Sequence, residues 1–473
     1  MVSYPGEMND QNICNIFRDA GDFIRRELRC GDYTLYAYAI DGLISSSAAS
    51  DYVIKPIVQQ LRGGSLQSVY EHARHGAVYN VVADVCDDLD AVALKLVNGF
   101  CVILFPGVGA LAFEVKTPDK RGTSAPDVEN TVKGAKDGFV ETVRSNTSYV
   151  RRHLRSPDLR IYETQIGRRS LTKVSVVWLE GVTNPMLVER LKRRLSQISI
   201  DGMLTPASVE EYVTGSRATA FPLLQYTERT DRFCSGILKG RVGLLVDGLP
   251  IGYLLPVDIG YLMNSPEDQS RDYISASFVR ILRYIALFGS LLLPAVYVVF
   301  TMFHAEWIPP ALLAIVEESR SGLPYPSAWE VIGLLLAFEL LQETGIHLPQ
   351  NIGQSVSIIG GIVLGTTAVE AGLISPMALI VVSVVGICGF VLPNRDLATA
   401  IRVCRFALAI TGALFGLMGV LIGSGILLLH LLTLRSLDVP YVVFSEPQII
   451  RKRLVKDKYR SKKLNPKDDR KQK

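Results

Sequence analysis

YIALFGSLLLPAVYVVFTMF (284–303) is the first stretch of this chain long and apolar enough to cross a lipid bilayer. It carries no charge, and no uncharged stretch as long precedes it. Others follow at 371–394 and 406–434, and between Glu343 and Arg395 the only charge is Glu370. A hydrocarbon core about 30 Å thick takes roughly 20 apolar residues at about 1.5 Å each. The C-terminal half therefore reads as an α-helical polytopic membrane domain. The half before Arg283 reads as a water-soluble α/β module.

The whole-chain averages, 20% charged residues and a mean hydropathy of +0.25, mix these two halves. The net charge of +4 is a second mixture. Arg451–Lys473 alone holds twelve Lys or Arg against three Asp, so this tail contributes +9 and the remainder sums to −5. A basic run beside an apolar segment predicts a cytoplasmic tail touching anionic lipid. Only Tyr459 interleaves with it as an aromatic, which argues against a nucleic-acid partner. The start, MVSYPGEMNDQNICNIFRDA, has no apolar core or small-residue cleavage site, so the expectation is no signal peptide and a cytoplasmic N-terminal half. The seven cysteines are scattered and never spaced CxxC, and the six histidines pair with no Cys or Asp at ligand spacing. These patterns predict reduced thiols, no metal and no cofactor.

The soluble half alternates strand and helix patterns. YTLYAYAIDGLI (33–44) reads as a strand ending at Asp41-Gly42, followed by a helical period in ASDYVIKPIVQQL. VADVCDDLDAVALKLVNG (82–99) reads as one amphipathic helix, and FCVILFPGVGALAFEVK (100–116) as two strands about Pro106-Gly107. After a polar link, LRIYETQIG and LTKVSVVWLEG read as strands, PMLVERLKRRLSQI as a helix, and GRVGLLVDGLPIGYLLPV (240–257) as a further hairpin. The expected organisation is an α/β subdomain over 1–130, a second over 131–275, a membrane domain over 276–434 and the basic tail over 435–473.

Within the membrane domain the apolar runs predict spans at about 283–303, 352–373, 376–393 and 406–432. An amphipathic or re-entrant helix at 328–346 holds Glu330, Glu339 and Glu343. Glu339 and Glu343 are four apart and share a face, while Glu330 points away. Two readings stand for these acids, with Glu370 as a fourth: an interfacial helix with its acids in water, or acids facing a hydrated pathway. Arg280 and Arg283 at one end and Arg435 with the tail at the other predict both ends cytoplasmic and an even number of crossings. Four spans satisfy this but leave Arg395, Arg402 and Arg405 outside. Five spans reverse the problem.

Gly361/Gly365, Gly412/Gly416 and Gly419/Gly423 are three GxxxG pairs, a spacing that lets helices approach closely in lipid. Gly353, Gln354, Ser357, Gly361, Gly365 and Ala368 form one small or weakly polar stripe on the 352–373 segment. Packing accounts for some of these residues, and a narrow water-filled conduit requires the same pattern. Gln354, Ser357, Gly361, Gly365 and Ala368 are the pore-lining candidates. No phosphate-binding GxxxxGK[ST], HExxH or GxSxG motif occurs, so no enzyme is expected.

Several stretches together resemble the A subunit of GerA-type spore germinant receptors, over residues 125–445. They are KGAKDGFVETVRSNTSYVRRHL, FPLLQYTERTD, GRVGLLVDGLP and SPED (265–268) in the soluble half. In the membrane half they are PPALLAI, LPYPSAWE, FELLQETGIHLPQNIGQSVSIIGGIVLG, AVEAGLISP, RVCRF and SLDVPY. The resemblance implies a two-part cytoplasmic N-terminal domain and a multi-pass domain in the spore inner membrane. It also implies partnership with an integral-membrane B subunit and a lipoprotein C subunit. A subunits of this family are thought to form a ring around a nutrient-gated ion channel, the proposed pore helix matching 352–373. This chain departs from the family pattern at Ala135, Thr230, Gln269, Ser270, Leu335 and Gln342. The alternatives to a channel are a non-conducting scaffold subunit of the same complex and a secondary transporter, although no internal repeat of broken helices supports the latter.

Overall fold

A computed structural model of the protein describes residues 4–30, 33–60, 65–75, 82–117, 126, 129, 134–202, 205–214, 219–347 and 363–442. They fall into two compact units. One holds 4–214 with 224–256, the other 219–223 with 257–442.

The first unit contains two five-stranded antiparallel sheets. Strands β1 (Phe23–Cys30), β2 (Tyr33–Ile40), β3 (Ala83–Cys86), β4 (Phe100–Phe105) and β5 (Gly109–Glu114) lie in the order β1-β2-β4-β5-β3. Strands β6 (Leu159–Ile166), β7 (Thr172–Leu179), β8 (Gln225–Thr227), β9 (Val242–Val246) and β10 (Gly252–Leu255) lie in the order β6-β7-β9-β10-β8. The second sheet repeats the first strand for strand. Each module begins with a hairpin, makes a helical excursion, returns as an edge strand, and inserts a second hairpin between that edge and the first pair.

Burial explains why these strands are legible. Every residue of β4 is buried, with Phe100, Val102 and Leu104 packed on one face beside Ile13 and Leu96. Cys101, Ile103 and Phe105 pack on the other beside Val53 and Val69. Coverage of both faces requires an unbroken apolar run rather than alternation.

One reading is corrected here and one unassigned stretch is filled. The 82–99 stretch is not one helix: Ala83–Cys86 forms edge strand β3, and only Leu89–Val97 is helical. Asp88 stops the strand by accepting the amide of Ala91 at 2.7 Å as an N-cap, so the acidic run marks a boundary rather than a helix face. FIRRELRC, unassigned from sequence, forms β1.

The modules meet through polar contacts. Arg151, on helix Val143–His153, makes a two-point ion pair with Asp22 at 2.7 and 2.8 Å. Arg144 on the same helix reaches Asp41 at 3.2 Å and Glu163 at 2.9 Å. Gly42, at φ +84°, follows Asp41, and a Cβ there would lie 2.1 Å from Ser148 Oγ. Only glycine permits both this backbone and this approach.

The second unit is helical. Helix Tyr273–Met302 starts at Asp272, whose carboxylate caps the amides of Ile274 and Ser275 at 3.1 and 3.0 Å. Asp268 lies beside its first turns and is buried, bound at two points by Arg283 (2.6 and 2.9 Å) and approached by Arg280 at 3.3 Å. Helices Ser327–His347, Pro376–Phe390 and Arg395–Thr433 pack with it, around Val298, Val331, Leu335, Val382, Val385 and Ala409. Tyr273–Met302 and Arg395–Thr433 are long and apolar enough to cross a membrane.

The 406–432 span is also corrected. Gly416, at φ 59° and ψ −144°, breaks the 395–433 helix in a region of backbone space that essentially only glycine occupies. Residues 408 and 423 would stand about 22 Å apart in an unbroken helix. Instead a Cβ on Gly423 would lie 2.8 Å from Leu408 Cδ2, and one on Gly412 would lie 3.0 Å from Val420 Cγ2. The segment is a hairpin with its tip at Gly416, beside Phe303. Arg395 and His430 therefore lie toward the same end. The 328–346 helix is not amphipathic: Ala328, Val331, Leu334 and Leu335 enter the core while Trp329, Leu336 and Leu340 are exposed. It is a bundle helix apolar on several faces.

The chain enters and leaves this unit at adjacent points. The Ser436 hydroxyl donates to Leu223 O at 2.6 Å and accepts the amide of Val257 at 3.0 Å. Ile259 N donates to Tyr441 O at 3.2 Å.

Candidate functional site

Three of the five pore candidates, Gln354, Ser357 and Gly361, lie outside the described residues. Gly365 is buried, and a Cβ there would come within 3.5 Å of Leu379 Cδ2. Ala368 is half-buried in the short helix Ala368–Glu370 that follows a π-helical turn at Val363–Thr367.

The four acids separate sharply. Glu343 and Glu370 are exposed, whereas Glu330 is buried and Glu339, one-third exposed, is held by arginines of the helical unit. Glu339 does not act with Glu343, its neighbour on the helix. It accepts a hydrogen bond from Arg402 Nη1 and lies 3.7 Å from Arg405 Nη2. Arg402 also donates to Gln342 Oε1 and Thr399 Oγ1, each at 2.7 Å. Arg405 is 2% exposed in its side chain. Two guanidinium groups and one carboxylate thus join helix 327–347 to the first arm of the hairpin.

With the tip at Gly416, Arg405 sits eleven residues along the arm, roughly 16 Å from the tip. Buried charge at that depth in an apolar bundle is costly unless paired, so the pairing with Glu339 is a requirement of the fold. Gln342 serves the cluster as an acceptor. Leu335 is fully buried among apolar side chains.

Glu330 forms the second polar centre. Its side chain is 1% exposed, its Oε2 accepts the amide of Ser375 at 3.0 Å, and its Oε1 stands 3.6 Å from Arg320 Nε. Ser375 caps helix Pro376–Phe390 through its own hydroxyl, so Glu330 places negative charge at that helix's N-terminus. The expectation from spacing grouped Glu339 with Glu343. The partners Arg402, Arg405 and Arg320 were missed, although each acid in an apolar stretch implies an arginine elsewhere to neutralise it.

In the first unit the family-like TERTD stretch has a structural task. Arg229, 2% exposed in its side chain, is gripped by Asp231 at 3.0 and 2.6 Å where helix Thr230–Leu238 begins.

Residues 11–471 match the family described as Bacillus/Clostridium GerA spore germination protein. The chain is 32% identical to the uncharacterized membrane protein YfkQ of Bacillus subtilis (strain 168), covering 92% of this chain and 85% of that protein. It is 31% identical to spore germination protein KA of the same organism, over 91% of this chain and 80% of that one. Among solved structures, the N-terminal domain of the A subunit of the Bacillus megaterium spore germinant receptor GerK3 covers 52% of this chain and 91% of its own, at 23% identity and a TM-score of 0.40.

Proposed function

Because this chain belongs to the Bacillus/Clostridium GerA spore germination protein family, we propose that it is the multi-pass A subunit of a germinant receptor and forms part of an ion conduit. Its relatives carry germination-protein names, and that family role is the frame for the reading. The observation that carries the conduit is the Glu339–Arg402–Arg405 cluster, in which a buried Arg405 meets a partly exposed acid and a second arginine among apolar helices. The small and weakly polar positions read from the sequence of 352–373, Gln354, Ser357 and Gly361 among them, are the further support for a narrow path.

The adjacency of residues 257–259 and 436–441 supports an even number of crossings with both flanks on one side. The hairpin at Gly416 supports the same arrangement, since the start of its first arm at Arg395 lies toward the same end as Arg435, while Arg405 stays inside paired with Glu339. The N-terminal modules and the basic tail then face the cytoplasm, the tail against anionic lipid of the spore inner membrane. A ring of such subunits, joined to an integral-membrane B subunit and a lipoprotein C subunit, completes the receptor.

The test is ion efflux from spores exposed to nutrient. Gly361→Leu is expected to block release at normal subunit abundance, because a bulky apolar group narrows and dewets the path, and Gly361→Ala to be milder. Ile362→Ala, on another face, is expected to leave release unchanged. Normal efflux from a fully expressed Gly361→Leu subunit would leave the scaffold reading in its place.

A further inference from the structure

Arg320 is the only Lys or Arg between Arg283 and Arg395. It lines a cavity of about 340 Å³ together with Thr301, Leu313, Val316, Glu317 and Ser321. A guanidinium offers five N–H donors. Among the described residues the Arg320 Nε has no hydrogen-bond partner: it forms an ion pair with Glu330 Oε1 at 3.6 Å, too long to be a hydrogen bond. Glu330 Oε1, on a side chain 1% exposed, is likewise without a hydrogen-bond partner. The ion pair with Glu330 thus engages only one side of the guanidinium, and its remaining donors are open to an acceptor in the cavity.

The surroundings define that species. Glu317 and Arg320 are three residues apart on helix Pro310–Arg320, so opposite charges share one face at the cavity. The same short helix exposes Leu312 and Ile315 by 50% and 52%, and Trp307 and Trp329 flank it at 63% and 68%. Exposed indole rings beside the end of an apolar helix favour the headgroup boundary of a bilayer. Glu317 disfavours a purely anionic headgroup and welcomes an ammonium.

We propose that this cavity binds the headgroup of a zwitterionic glycerophospholipid, its phosphate on Arg320, its ammonium on Glu317 and its acyl chains along Leu312 and Ile315. This rests on the reading of the helical unit as bilayer-embedded. An arginine pairs with phosphate through two parallel hydrogen bonds, which gives geometry as well as attraction.

The test uses the full chain in nanodiscs of phosphatidylethanolamine and phosphatidylglycerol in equal parts, with retained lipid identified by native mass spectrometry. The wild type is expected to keep phosphatidylethanolamine in preference to phosphatidylglycerol. Arg320→Ala is expected to weaken retention about tenfold, the loss of one charge-assisted pair. Glu317→Gln is expected to erase the preference between the lipids, while Glu318→Gln keeps it. Equal retention of both lipids by the wild type, unchanged retention by Arg320→Ala, or inorganic phosphate held instead of lipid would each overturn the proposal. Insertion is read separately, from quenching of a Phe288→Trp probe by brominated lipid. A chain that fails to quench overturns the bilayer reading itself, and one that quenches without headgroup selectivity overturns only this site.

Discussion

Asp22 and Arg151 form a buried two-point ion pair in which each side chain is about 1% exposed. The residues come from different modules, Asp22 just before β1 and Arg151 on the helix that precedes β6. A hydrogen-bonded pair of this kind contributes less by its attraction than by what its rupture leaves behind. Asp22→Ala strands a guanidinium in the joint and is expected to cost about 3–5 kcal/mol. Asp22→Leu combined with Arg151→Met is expected to recover most of that. Thermal unfolding of the purified full chain, with proteolysis at the 117–137 link as a second readout, measures both. Equal losses from the single and the double variant would show that packing, not charge, holds the joint.

Gly416 is expected to accept no side chain. Its φ of 59° with ψ −144° costs any other residue roughly 1–3 kcal/mol, and a Cβ would press on the Phe303 ring at 3.3 Å. Gly416→Leu should reduce subunit abundance in membranes, whereas Gly425→Ala, with open space around it, should not. Quantitative immunoblotting decides. Normal abundance of Gly416→Leu would mean that the hairpin tip tolerates another geometry.

The cluster at Glu339 predicts an asymmetry between its arginines. Glu339→Gln leaves Arg405 buried and uncompensated, so it should destabilise the helical unit by several kcal/mol. Arg402→Met should cost far less, because Arg402 is 23% exposed and Arg405 still neutralises the acid. Adding Arg405→Met to Glu339→Gln should restore stability. Melting temperatures in detergent test the ranking, and a cost for Arg402→Met equal to that of Glu339→Gln would refute it.

Asp10 provides a pH signature in the N-terminal unit. Arg25 hydrogen-bonds its carboxylate at 2.7 and 2.8 Å and the Tyr38 hydroxyl adds a third bond at 2.7 Å, holding its pKa below the usual carboxylate value. A carboxyl depressed on folding stabilises above its unfolded pKa and loses that contribution as pH falls through the folded value. Asp10→Asn should therefore lower stability at neutral pH and flatten its decline in acid. Denaturation midpoints between pH 7 and pH 3 check this. A mutant curve parallel to the wild type would assign the acid sensitivity to other groups.

How much of this was legible depends on what sequence can encode locally. The hairpins at 100–116 and 240–257 announce themselves because their strands are covered on both faces, and β-branched and aromatic runs broken by glycine turns have one reading. FIRRELRC hides because β1 is an edge strand with four charged residues, so its alternation is diluted. The 406–434 run is uncharged throughout, and length alone cannot show that it doubles back. The information lies in Gly416, one glycine among several at GxxxG spacing. The acids were visible, but the Arg402 partner of Glu339 is 63 residues away in sequence, and the Ser375 amide that Glu330 accepts is 45 away. Such pairings are products of packing.

The Ser436 hydroxyl, shared by Leu223 and Val257, means that the helical unit begins and ends at a single joint. A unit whose two chain ends coincide is a cassette, and its backbone can be reopened elsewhere without lengthening the path. A circular permutant that starts at Leu323, after the Gly322 turn, and joins 442 to 257 through a short linker would keep every helix and every buried pair described for it. The order in which the helices are synthesised would change, and the partners each of them packs against would not.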